Sequence, residues 1–222
     1  MSNVKDLIAD NIDAIVEDLN EELLSDRIVR FWEKVDSNLT LDELVTRHWQ
    51  VRSEFTVDLG VSFGKIFELY LPFKLKSLGL NVEPIFTSEG DMVENGVSGT
   101  SILYKWRKNW EIKTGRGKFI QGATHSPKEK KPLNLIQVLW DCHWDKTLTE
   151  IREDGQFIKE LNICVFDNIV VNSVGEHSDN NSRTTLQFTK DRYDECVDAC
   201  VYGSIKKNRV NVGFVKEDAY GG

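Results

Sequence analysis

Two long apolar runs, Leu133 to Trp144 and Glu160 to Val171, restrict what this chain can fold into more than any other feature. Both have strand character and are suited to the centre of a sheet, where side chains on both faces are buried. A sheet buried in that way needs helices to cover it, and the rest of the chain offers them. Val4, Leu7, Ile8, Ile12, Ile15, Val16, Leu19 and Leu23 recur at helical spacing over residues 3–24, with Asp and Glu filling the other face. A second helix is predicted over Ser25 to Val35, carrying Ile28, Val29, Phe31 and Trp32. A third starts from Thr40 as N-cap, with Glu43 completing a capping-box pattern. Residues 61–79 read as a nearly all-apolar helix with Ser62 as N-cap and Gly79 at its end. Pro72 within it is expected to kink or divide it. Glu68 is its one acid, and a buried carboxylate is costly unless it is paired or linked to a metal.

Short strands are predicted at Asn81 to Phe86 (edge-like), Asp91 to Glu94 and Ser101 to Trp106. Asn109 to Thr114 either continues the last of these or follows a bend. Asn95-Gly96 and Ser98-Gly99 are turn signals. After the two apolar runs come a polar loop over 174–183, a helix from Asp191 to Ile205 and a last strand from Val210 to Val215. The order of elements implies an α/β fold, a mixed β-sheet flanked by helices, preceded by a helical N-terminal subdomain. The boundary is expected near residue 58, giving 1–58 as an appendage or dimerisation element and 59–222 as the core. The apolar stripe of the first segment packing on the main core is an equal alternative.

At 222 residues and 40% apolar composition the chain can bury a sizeable core. It holds no run of about 18 apolar residues, so no membrane span is expected. The charged start Met-Ser-Asn-Val-Lys-Asp lacks the apolar region of a secretory signal, so a cytoplasmic, prokaryotic setting is expected. Cys142, Cys164, Cys196 and Cys200 read as reduced core cysteines, since a zinc site would need two more ligands at short spacing.

The net charge of −8 is unevenly spread. Residues 1–60 hold fourteen acids and six bases, whereas residues 105–131 hold nine bases against Glu111 and Glu129. A local basic surface suits a polyanionic partner even in an acidic chain. Within that stretch lies Trp110-Glu111-Ile112-Lys113-Thr114, twenty residues after Asp91. On a strand, Glu111 and Lys113 share a face and Ile112 faces the core. If the segment around Asp91 is the neighbouring strand, two carboxylates and an ammonium come together. Glu83, Glu89 and Glu94 lie close by, but Met92-Val93 continues a strand from Asp91. Such a trio suits phosphodiester hydrolysis. Asp91, Glu111 and the Ile112 carbonyl are candidate ligands for a hard Mg2+ ion, and Lys113 a candidate to orient water or stabilise developing charge.

Gly64-x-x-x-Glu68 on the apolar helix, Gly90-Asp91, and Glu111-Ile112-Lys113 together resemble the PD-(D/E)xK nuclease superfamily, with Type II restriction endonucleases the nearest functional group. The resemblance covers roughly residues 60–171, the length of one core domain. It implies a restriction-endonuclease-like core with catalytic residues Asp91, Glu111 and Lys113, and with Glu68 as the frequent helix acid. Gly90 stands where the family's motif often has proline. The implied activity is Mg2+-dependent cleavage of double-stranded DNA by a homodimer, whose two-fold axis matches a palindrome. Arg116, Lys118, Gln121, His125, Ser126 and Lys128 are candidate DNA contacts; Ser126, Pro127 and Glu129 have the pattern of a short helix start that could receive a phosphate. His125 has no visible orienting partner and is a weaker base candidate than Lys113. Arg183, Lys190, Arg192 and Lys206 to Arg209 are further cations, each equally well read as solvated surface. Two alternatives stand beside this reading: a structure-specific repair or recombination nuclease of the same fold, and a non-catalytic nucleic-acid-binding module.

Overall fold

The computed structural model describes residues 3–47, 49–87, 90–98, 104–116, 122–124, 133–169, 172–176, 184–187 and 192–209. The two apolar runs form β5 (Leu133–Cys142) and β6 (Ile158–Ile169), which pair antiparallel inside a six-stranded sheet. With β1 (Val82–Thr87), β2 (Gly90–Ser98), β3 (Tyr104–Arg116) and β9 (Cys200–Tyr202), the strand order is β1-β2-β3-β5-β6-β9. The β3–β5 pair is parallel and the others are antiparallel, so the sheet is mixed. The segment around Trp110 is no separate element; it completes one 13-residue strand. Three short strands, β4 (Gly122–Thr124), β7 (Asn172–Glu176) and β8 (Thr184–Gln187), form a second sheet in the order β4-β8-β7.

Strand alternation divides the main sheet into two faces. On one, Trp110, Ile112, Ile136, Val138, Trp140, Ile163 and Val165 join a cluster with Ile8, Ile15, Leu19, Trp32, Phe63 and Phe67 from the helices. Phe63 stacks on Trp140 with ring centroids 4.1 Å apart. On the other, Leu135, Leu139, Cys164 and Phe166 pack against Cys196, Ala199 and Ile205. Each such side chain, once fully buried, contributes about 1.5–3 kcal/mol.

The helices are α1 (Val4–Asp10), α2 (Ile12–Leu24), α3 (Arg27–Asp36), α4 (Leu41–Arg47), α5 (Trp49–Ser77), α6 (Leu148–Asp154) and α7 (Tyr193–Ala199). The single helix predicted over 3–24 is interrupted at Asn11, whose side-chain amide donates back to the Leu7 carbonyl at 2.8 Å. Asn competes for backbone carbonyls in this way, which is why it favours helix ends. Thr40 and Glu43 form the expected reciprocal cap, the Glu43 amide donating to the Thr40 hydroxyl at 3.1 Å and the Thr40 amide to Glu43 at 3.0 Å.

The apolar helix is longer than its pattern implies. It starts at Trp49, so Ser62 is internal rather than a cap, and it runs across positions 58 and 59. Pro72 does not divide it. The proline lacks only the amide that would reach the Glu68 carbonyl. Asn20 on α2 joins the first quarter of the chain to the sheet. It is 5% exposed, and its Oδ1 accepts from the amides of Phe157 (2.7 Å) and Ile158 (2.8 Å) while its Nδ2 donates to Val16 at 2.9 Å.

Other differences from the sequence reading have local causes. The helix predicted over 191–205 stops at Ala199, and Cys200–Tyr202 turns into β9 before Gly203 at φ +79°. Part of the polar segment 174–183 is the end of β7. The short helix expected from Ser126 and the strand expected from Val210 lie outside the described residues. Cys142, Cys164, Cys196 and Cys200 are free thiols, the first three buried. Among the described residues no helix is long and apolar enough to cross a membrane.

Candidate active site

The site forms where β2 and β3 meet. Their ladder begins at Met92 opposite Trp110, which leaves Asp91 one residue outside the paired region. Its carboxylate is therefore free to turn across to β3, where Oδ2 accepts the Ile112 amide at 2.7 Å. Gly90 makes this possible. It sits at φ +141°, and a Cβ there would lie 2.8 Å from the Trp110 carbonyl oxygen. Proline, held near φ −65°, cannot adopt that backbone, which accounts for its absence before Asp91.

Strand alternation puts Glu111 and Lys113 on the same face as Asp91. The Lys113 ammonium lies 2.6 Å from Glu111 Oε1, 3.4 Å from Asp91 Oδ2 and 3.1 Å from the Ile112 carbonyl oxygen. Three oxygens thus converge on one nitrogen, with all three side chains only 16–18% exposed. Burial pushes the Glu111 carboxyl above its ordinary value, Lys113 opposes the rise, and Asp91 and Glu68 add to it. Burial alone would lower Lys113, but Glu111, Asp91 and Glu68 outweigh it and hold the ammonium above its ordinary value.

Among the described residues Glu68 reaches this group through its charge alone. Its direct partner is Lys65, at 2.6 Å one helical turn earlier. Helix α5 nevertheless lies hard against β3. A Cβ on Gly64 would stand 2.9 Å from the Thr114 hydroxyl, so glycine is needed for that approach. Of the other acids near Asp91, Glu89 lies outside the described residues, and Glu94 and Glu83 do not compete for the site. Glu94 has the opposite strand parity and accepts the Trp110 indole N–H at 3.0 Å, and Glu83 is exposed on the edge strand β1.

The donors suit Mg2+ better than a soft metal. Among the described residues no group of three or more His, Cys, Asp and Glu side chains could hold a metal ion. Two carboxylates and one carbonyl oxygen, however, match a hard cation that keeps much of its water. The convergence of all three oxygens on an ammonium marks the focus as a place for positive charge.

Of the candidate DNA contacts, Arg116 ends β3, with its backbone in register with Trp140. Lys118, Gln121, His125, Ser126 and Lys128 lie outside the described residues. The basic stretch contributes two further groups not singled out from spacing. Lys105 and Arg107 are exposed and share strand parity with Glu111 and Lys113, so they extend the site face along β3. Gln137 was also missed. It is fully buried on β5 in register with Lys113, and inside an apolar run it gave no signal of its own.

Comparison of the chain with protein-family models, with curated proteins and with solved structures gives no match.

Proposed function

We propose that this protein is a Mg2+-dependent endodeoxyribonuclease that cuts double-stranded DNA, in the manner of a Type II restriction endonuclease with a restriction-endonuclease-like core. The observation that carries the reading is the convergence of Asp91 Oδ2, Glu111 Oε1 and the Ile112 carbonyl on the Lys113 ammonium. The pairing of β1, β2 and β3 as an antiparallel meander, followed by the parallel β3–β5 pair, supports the same reading, since it sets both acids and the lysine at one sheet position.

Asp91, Glu111 and the Ile112 carbonyl would hold the ion, which when bound supplies Lewis-acid stabilisation of phosphate charge and a more acidic water. The chain's own residues do the rest. The Ile112 amide fixes the Asp91 carboxylate, so its orientation does not depend on substrate. Lys113 offers hydrogen-bond donors to an attacking water or to the charge that develops on phosphorus-bound oxygen. Lys105 and Arg107 extend along the same face, where they can follow a DNA backbone without reading sequence. Cutting both strands of a palindrome calls for a homodimer, and such an enzyme would work in a prokaryotic cytoplasm.

Incubating the purified protein with phage DNA and Mg2+, then sequencing the fragment ends, tests the reading. Discrete ends support restriction. Scattered ends point to a structure-guided or nonspecific nuclease of the same fold. Asp91→Ala, Glu111→Ala and Lys113→Ala should each abolish cutting and keep DNA binding. Wild-type protein that binds DNA and leaves it intact under all Mg2+ conditions would instead be a binding module.

A further inference from the structure

Among the described residues, Gln137 is a feature beside the site that the proposed chemistry leaves unexplained. It is 0% exposed, and among the described residues its Oε1 has no hydrogen-bond partner. Its Nε2 makes only a long contact to the Val138 carbonyl, at 3.5 Å. A buried carbonyl oxygen left unpaired costs about 1–3 kcal/mol, so the fold carries this group at a penalty. Leucine occupies both neighbouring positions of the same face, Leu135 and Leu139, and would have filled the space without that cost.

The register shows what the oxygen lies beside. β3 and β5 are parallel, with Lys113 opposite Gln137 and Glu111 opposite Leu135. Paired residues of neighbouring strands point to the same face about 4.8 Å apart along the hydrogen-bonding direction. Lys113 therefore has the Asp91 carboxylate on the β2 side, Glu111 on its own strand, and on the β5 side an amide oxygen without a donor among the described residues. The Lys113 ammonium also occupies the point on which the oxygens of Asp91, Glu111 and Ile112 converge. A divalent cation held by the same oxygens cannot share that point with an ammonium, so Lys113 must move.

We propose that Gln137 Oε1 is the second resting place of the Lys113 ammonium, taken up when a divalent cation occupies the focus of Asp91, Glu111 and the Ile112 carbonyl. Gln137 is then a positioning residue. It accepts one ammonium hydrogen, holds the lysine beside the ion rather than in its place, and leaves the other ammonium hydrogens for the substrate. This inference rests on the metal-dependent reading above and adds to it the means by which lysine and cation avoid exclusion.

Calorimetric titration with Mg2+ alone, without DNA, tests it on four proteins: wild type, Gln137→Met, Lys113→Met and the double variant. Methionine keeps the volume and removes the oxygen. Gln137→Met should weaken Mg2+ binding about tenfold, the worth of one charge-assisted hydrogen bond. In the Lys113→Met background the same change should alter affinity by less than about twofold, because no ammonium needs accommodation. Equal weakening in both backgrounds overturns the proposal, as does unchanged affinity in Gln137→Met. Should Gln137→Met not fold, the wild type still decides the matter. Its Gln137 side-chain amide resonance should move during Mg2+ titration and stay still in Lys113→Met; a resonance that does not move in the wild type overturns the proposal. A wild type that binds no Mg2+ sinks the metal-dependent reading and this inference together, whereas the other negative results leave that reading intact.

Discussion

Lys113→Met exposes what the ammonium does for the fold as well as for the chemistry. Asp91 Oδ2 and Glu111 Oε1 lie 3.4 and 2.6 Å from the same nitrogen. They therefore stand no more than about 6 Å apart, where two unit charges repel by about 3 kcal/mol at an effective dielectric of about 20. With side chains only 18% and 17% exposed, water screens little of this. Three kilocalories correspond to about 2 pH units, so without the lysine one carboxyl should take up a proton well above its ordinary range. Glu111, already raised by burial, is that carboxyl. A carboxyl whose folded value is raised binds its proton more tightly in the folded state. Stability then falls as pH rises from the ordinary carboxyl range through the raised value. The variant should be about 2–3 kcal/mol less stable than wild type near pH 8, and less than about 1 kcal/mol less stable near pH 5, where protonation costs little. Urea unfolding followed by circular dichroism at both pH values measures this, and millimolar Mg2+ near pH 8 should narrow the gap. A deficit equal at the two pH values would show that Lys113 contributes packing rather than charge, and would refute the reasoning.

Three other perturbations report on other parts of the structure. Asn20→Leu leaves the amides of Phe157 and Ile158 without their acceptor and should cost about 2–4 kcal/mol in urea unfolding. Gly64→Ala places a methyl 2.9 Å from the Thr114 hydroxyl; it should cost about 1–3 kcal/mol and reduce cleavage, and Thr114→Ala in the same chain should restore both. Changing Lys105 and Arg107 together to alanine should weaken DNA binding alike for every sequence and lower the slope of affinity against salt by about 2, measured by fluorescence anisotropy.

Much of this arrangement is legible in the amino-acid sequence. The apolar runs became β5 and β6 because continuous burial on both faces leaves no other place for them in a sheet. Asp91, Glu111 and Lys113 were readable because strand parity and one antiparallel neighbour suffice to bring them together. What stayed hidden depended on neighbours remote in sequence. Gln137 looks like any polar interruption of an apolar strand until the parallel register sets it beside Lys113. Helix α5 could not be seen to begin at Trp49, since residues 49–60 lack the dense apolar pattern that marks its later turns. The cap of α6 follows the same spacing, Thr147 and Glu150 standing as Thr40 and Glu43 do, with the Glu150 amide donating to Thr147 at 3.2 Å. Pro72 misled in the opposite direction, because burial of α5 against the sheet outweighs one lost helix bond.

Asn20 lies 137 positions from Phe157, the backbone it satisfies. During synthesis at about 5–20 residues per second, the interval between the two is roughly 7 to 27 s. Over that time α1 and α2 exist without β6, the strand whose first amide Asn20 satisfies. Helices made well before β6 thus wait to find their full place, and their apolar stripe is open to other nascent chains meanwhile. Closing so long a loop also makes refolding from denaturant slow, because its entropy must be lost before the contacts repay it. Asp91, Glu111 and Lys113 leave the ribosome inside that interval, so the carboxylates and their lysine are translated before β5 and β6 can hold them in register.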